Sequence, residues 1–97
     1  MARLSIRWTS RALLRLDHIA AHIQKDSPQA AARVVSRIVT AVDLLAEQPA
    51  MGRIGRIKTT HELVLADIPY IIPYRVTDTH VDILTVMHAA QKWPEEL

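Results

Sequence analysis

What most constrains this chain is a pair of apolar stripes at helical spacing, separated by the short break Asp26-Ser27-Pro28. The first stripe runs through Ala12, Leu13, Leu16, Ile19, Ala20 and Ile23. Thr9 or Ser10 is placed to cap it, by accepting a hydrogen bond from a free N–H of the first turn. The second runs through Ala31, Val34, Val35, Ile38, Ala41, Val42 and Leu45 for about five turns. Ser27 suits its N-cap. Pro28 suits its first position, where a missing N–H has no intrahelical partner to lose, and Pro49 closes the segment. So short a connection folds the two segments into an antiparallel hairpin, whose joint apolar face demands a second layer.

The rest of the chain supplies that layer. Leu4, Ile6 and Trp8 alternate with Arg3, Ser5 and Arg7, the period of a strand with one wet face. Glu62-Leu63-Val64-Leu65, Tyr70 to Val76 and Val81 to His88 read as three more strands, with Thr77-Asp78-Thr79-His80 as the hairpin turn between the last two. Pro73 has no N–H for a ladder, so a bulge or an unpaired position is expected beside it. Both glycines fall in Met51-Gly52-Arg53-Ile54-Gly55-Arg56, which reads as the main loop. The expected fold is α+β in the order β-α-α-β-β-β, one domain over residues 1–97 with the helical hairpin packed on a small, mostly antiparallel sheet.

Composition excludes several chemistries. With no cysteine there is no disulfide framework, thiolate zinc site or thiol nucleophile. The apolar runs fall far short of the roughly 20 residues a membrane span needs, and no apolar stretch follows Arg3 and Arg7 as in an export signal, so a cytoplasmic protein without a membrane partner is expected. Gly52 and Gly55 precede a strand and lack the Gly-Lys-Ser or Gly-Lys-Thr of a phosphate loop. His18 and His22 have the i, i+4 spacing of metal ligands, but no Glu follows His18 as in a zinc hydrolase, and no serine lies in a nucleophile elbow. Neither a metal nor another cofactor is expected.

Charge is what remains. Residues 1–58 carry ten Lys and Arg against four acids, and residues 59–97 carry two against six. Arg53, Arg56 and Lys58 cluster on the glycine-bearing loop, Arg75 lies on the third strand and His88 ends the fourth. Guanidinium groups grip phosphate oxygens in pairs, and histidine takes and gives a proton near neutrality. If the strand ends converge, these groups suit metal-free RNA transesterification: a base takes the 2′-hydroxyl proton, cations stabilise the phosphate and an acid protonates the leaving oxygen. The competing reading is plain. Loop arginines are usually solvated, Arg75 can pair with Asp82 across the hairpin, His88 can simply finish a strand, and His61 and Glu62 read as a solvated strand start.

Several strings carry a resemblance over essentially the whole length: Trp8 on the first strand, the helical pair, Glu47-Gln48-Pro49-Ala50-Met51-Gly52-Arg53, Glu62-Leu63-Val64, Tyr70-Ile71-Ile72-Pro73-Tyr74-Arg75-Val76 and Ile83-Leu84-Thr85-Val86-Met87-His88. In this order the chain resembles the RelE/ParE superfamily of bacterial type II toxins. The resemblance implies a growth-inhibiting toxin neutralised by a cognate antitoxin, with operator DNA bound only through that antitoxin. RelE-like members cut mRNA on the ribosome. On that pattern Arg53, Arg56 and Lys58 would hold phosphate, Arg75 would stabilise the transition state and His88 would be the acid or base. ParE-like members instead block DNA gyrase, and Pro49-Ala50-Met51-Gly52-Arg53 and His88-Ala89-Ala90-Gln91 look more like that branch. The basic loop and Arg75 set the expectation at the nuclease, with gyrase inhibition as the alternative.

Overall fold

A computed structural model describes residues 3–97. The elements are β1 (Ser5–Trp8), α1 (Ser10–Gln24), α2 (Pro28–Leu44), β2 (Arg53–Ile54), β3 (His61–Val64), β4 (Tyr70–Val76), β5 (His80–Ile83) and β6 (Met87–His88). The architecture is the expected α+β one, two helices on a mostly antiparallel sheet, although six strands replace the four anticipated. Strand order is β1-β5-β4-β3-β2, with β6 also paired to β4, and the parallel neighbours are β1 and β5. Among the described residues no helix is long and apolar enough to cross a membrane.

Both helix starts follow from their caps. Ser27 Oγ accepts the Ala30 N–H at 3.1 Å, and Thr9 Oγ1 accepts the Ala12 N–H at 3.2 Å. Thr9 does more, because its hydroxyl also donates to the Ile83 carbonyl at 2.8 Å and so ties α1 to β5. Thr9→Ala is therefore expected to cost about 2 kcal/mol in urea denaturation and Ser27→Ala about 1 kcal/mol. Equal losses would show that the tie to Ile83 contributes nothing. The helices press Ala12, Leu16, Ile19, Ile38, Val42 and Leu45 onto Leu63, Ile72, Tyr74, Val81, Ile83 and Val86 of the sheet layer.

The segment expected as one strand from Val81 to His88 is two. Tyr74 pairs with Ile83, but Ile71 pairs with Met87, so three steps along β4 correspond to four along the returning chain. This is the bulge expected beside Pro73. Leu84 N–H donates to the Pro73 carbonyl at 3.0 Å, and in extended backbone the proline nitrogen faces the same neighbour. With no N–H there, the ladder lapses through Thr85 and Val86 and resumes one residue out of step. The expected main loop, in turn, contains β2, with Arg53 opposite Glu62 and Ile54 opposite His61.

Candidate functional site on the face away from the helices

Strand alternation sorts the side chains. On β4, Ile72 and Tyr74 join the helix-covered core, so Ile71, Pro73 and Arg75 face the other way. Register then places Glu62 (opposite Pro73), Arg53 (opposite Glu62), Asp82 (opposite Arg75) and Arg7 (opposite Asp82) on that same face.

Glu62 is the centre of this face, not the solvated strand start that was expected. It is 2% exposed. Its Oε1 accepts from Arg53 Nε and Nη2 at 3.0 and 2.8 Å, and its Oε2 accepts from the Arg56 backbone N–H at 2.8 Å, with Arg56 Nε at 3.4 Å. Burial pushes the carboxyl pKa up, but the Arg56 N–H, the Arg53 bonds and the charges of both guanidinium groups outweigh it, and the net displacement is downward. Arg56 also stacks over Trp93 at 3.8 Å from the ring centroid, which draws the C-terminal segment onto this face. Trp93 was not among the expected site residues. Nothing in local periodicity marks a tryptophan after the last strand as an arginine's platform.

The cations are therefore unequal. Arg53 and Arg56 are committed to Glu62, with 54% and 48% of their side-chain surface still in solvent. Lys58 is exposed and has no ion-pair partner among the described residues. Arg75 is half-buried, and its Nε donates to Thr59 Oγ1 at 3.1 Å. Thr59 takes a φ of 65°, an uncommon conformation for a β-branched residue. Arg75 and Asp82 are cross-strand neighbours, but the pairing of their charges that the competing reading expected is not among the ion pairs of the described residues. The Asp82 carboxylate is held by Arg7, Nε to Oδ1 at 2.8 Å and Nη2 to Oδ2 at 3.2 Å.

His88 is not with them. It pairs with Tyr70 and shares that residue's face, lying edge-on to the Tyr70 ring at 5.4 Å. The expected convergence of His88 with Arg75 fails for a definite reason. In an unbroken strand, five residues separate His88 from Ile83, which would put it on the Arg75 face; the extra residue of the bulge turns it to the helix side. The imidazole that does share the Arg75 face is His80, two residues before Asp82, with Nε2 3.5 Å from Asp82 Oδ1 and Nδ1 2.8 Å from Thr79 Oγ1. Sequence reasoning passed it over as a turn residue, although its parity with Asp82 was readable. His61, next to Glu62, instead stacks on Tyr74 with ring centroids 5.5 Å apart.

With this geometry in hand, kinship decides the family. The family described as "ParE toxin of type II toxin-antitoxin system, parDE" matches residues 6–93. The chain belongs to the ParE toxin family. It is thus a RelE/ParE superfamily member, as the resemblance implied. Y4kP of Sinorhizobium fredii is 70% identical over 97 residues, spanning 100% of both chains. Toxin RelE2 of Caulobacter vibrioides is 45% identical over 84 residues, covering 87% of this chain and 93% of that one. Among solved structures, a chain of the chromosomal ParDE toxin–antitoxin system from P. aeruginosa superposes with a TM-score of 0.82 at 27% identity, covering 91% of this chain and 98% of that chain. A chain of the RelBE2 toxin–antitoxin complex from Mycobacterium tuberculosis gives 0.62 at 28% identity, covering 94% and 97%. In this ParE-family chain the network around Glu62 is carried by β2, β3 and the C-terminal segment, all but the last few residues of which lie within the matched range.

Proposed function

We propose that this protein is a growth-inhibiting toxin that acts by occupying a protein target, DNA gyrase, and not by cutting RNA. The observation that carries the reading is the division of the expected catalytic set: Arg75 on one face, His88 on the other, and two of the three phosphate-holding candidates engaged by Glu62. Transesterification needs an acid or base and a cation within reach of one phosphate. Binding has no such requirement. Arg75 on this face, and Lys58 on the loop that carries its partner Thr59, remain as the less committed cations, where an acidic stretch of a cognate antitoxin can lie and neutralise the toxin. Operator DNA is then met only through that antitoxin.

The test is induction of the toxin alone, followed by supercoiling and message integrity. Arrested supercoiling with intact messages is the expected result, and both His88→Ala and Arg75→Ala are expected to leave growth arrest in place. Cleaved messages on programmed ribosomes would overturn the proposal. A second reading, ribosome-dependent mRNA cleavage, is favoured by one specific observation, the His80 and Asp82 pair beside Arg75. It requires that His80→Ala restore growth while antitoxin binding persists.

A further inference from the structure

A second constellation lies on the helix side of the sheet, around the His88 that the reading above sets apart from Arg75. Arg11, Arg15, His18 and His22 follow one another at i, i+4, i+7 and i+11, one stripe along α1. Three of them, Arg15, His18 and His22, meet Tyr70 of β4 and His88 of β6 around a cleft of about 240 Å³, with Ile19 as its apolar lining. No carboxylate lines this cleft. Asp17, beside His18 in sequence, is about 100° round the helix from it. Among the described residues no trio of His, Asp or Glu is close enough to share a metal ion. Donors without acids make an anion site.

Two of those donors are held in place. Arg15 directs Nε at the Val86 carbonyl (3.4 Å) and Nη2 at Gln91 Oε1 (3.2 Å), and the same Gln91 oxygen accepts the His88 backbone N–H at 3.3 Å. The guanidinium is thereby fastened to the residues on either side of β6, while its remaining N–H groups have no partner among the described residues. His88 Nδ1 accepts the Ala90 N–H at 3.1 Å, so the neutral ring carries its proton on Nε2 and is a donor without being charged. His18 and His22 are exposed and line the same cleft from α1.

The geometry points to a binding site for a phosphate group, either free phosphate or the terminal monoester of a nucleotide. Arg15 is the permanent cation, His88 and the Tyr70 hydroxyl are neutral donors, and His18 and His22 add two imidazoles from α1. Donors that arrive from α1, β4 and β6 suit the tetrahedral oxygens of phosphate better than a planar carboxylate.

The full chain is titrated with inorganic phosphate, and separately with a nucleoside 5′-monophosphate, while NMR follows the imidazole resonances of all five histidines. His18, His22 and His88 are expected to shift together and saturate, with His61 and His80 stationary as internal references. The double variant His18→Gln, His22→Gln alters exposed positions, leaves the fold intact and is expected to lower phosphate affinity about tenfold. Tighter binding of the monophosphate assigns the nucleotide as source, and equal binding assigns free phosphate. Shifts that do not saturate, shifts shared equally by all five rings, or an affinity unchanged in the double variant would overturn the site.

Discussion

Glu62→Gln is expected to lower stability at neutral pH by about 2–3 kcal/mol, measured by urea denaturation. Four approaches from N–H groups of Arg53 and Arg56 converge on the two carboxylate oxygens. A glutamine presents an NH₂ group where one of those oxygens stood, so a donor faces a donor in a buried position. The loss is smaller than for a fully interior ion pair, because both guanidinium groups keep about half their surface in water and are screened there. The variant also has a pH signature. A carboxyl whose folded pKa is depressed contributes stability above its unfolded value, and that contribution is lost as the pH falls through the folded value. The wild type should therefore lose more stability than the variant between pH 7 and the acid side of the ordinary carboxylate range. Asp67, held low by its hydrogen bonds from Arg37, contributes the same acid loss to both proteins and cancels in the comparison. Parallel pH curves would show that Glu62 is not the hub.

The second large effect is expected at Gly52. A Cβ there would stand 2.6 Å from the Tyr74 hydroxyl oxygen, 2.7 Å from Tyr74 Cε1 and 2.8 Å from the Glu62 carbonyl oxygen. Room, not backbone rotation, requires glycine, since no glycine has a positive φ. The Glu62 carbonyl belongs to β3 and Tyr74 is wholly buried, so neither can give way cheaply. Gly52→Ala is expected to cost about 2–4 kcal/mol. Tyr74→Phe alone is expected to cost about 1–2 kcal/mol, because its hydroxyl accepts the Gly52 N–H at 2.8 Å and donates to the Pro49 carbonyl at 2.7 Å. The double variant should not recover the loss at Gly52, since Cε1 and the β3 carbonyl remain. A Gly52→Ala protein as stable as its parent would mean that the β2 segment is free to shift away from β4.

These two positions mark how far the amino-acid order could be read. The helices were legible because six apolar residues of α2, with Leu45 at its C-cap, and six of α1 keep one helical face, and Thr9, Ser27 and Pro28 bound them. The irregularity beside Pro73 was legible because a missing N–H has no substitute. Its consequence was not. Where the extra residue falls is decided by tertiary pairing with β4, and one residue is enough to reverse every side chain beyond it, His88 first. Burial of Glu62 was hidden for a related reason. Its cover comes from Arg53 and from Arg56, which stacks on Trp93 far along the chain, and no local window joins these to His61 and Leu63. Arg53, Arg56 and Arg75 do share a face, as basic residues near one another in a meander should, but the acid that reorganises them reads as an ordinary surface glutamate.

The parallel pairing of β1 with β5 carries a consequence for biosynthesis. Ser5 to Trp8 find their neighbours at His80 to Ile83, so β1, made before both helices and the three strands that follow them, is seated against β5, made after them all. Closing so wide a span is slow relative to local hairpin formation, and it cannot begin before β5 has left the exit tunnel. A prematurely terminated polypeptide leaves β1 with no strand to join and α1 without its tie from Thr9 to Ile83. The toxin is armed only once β5 has been made and β1 can close onto it.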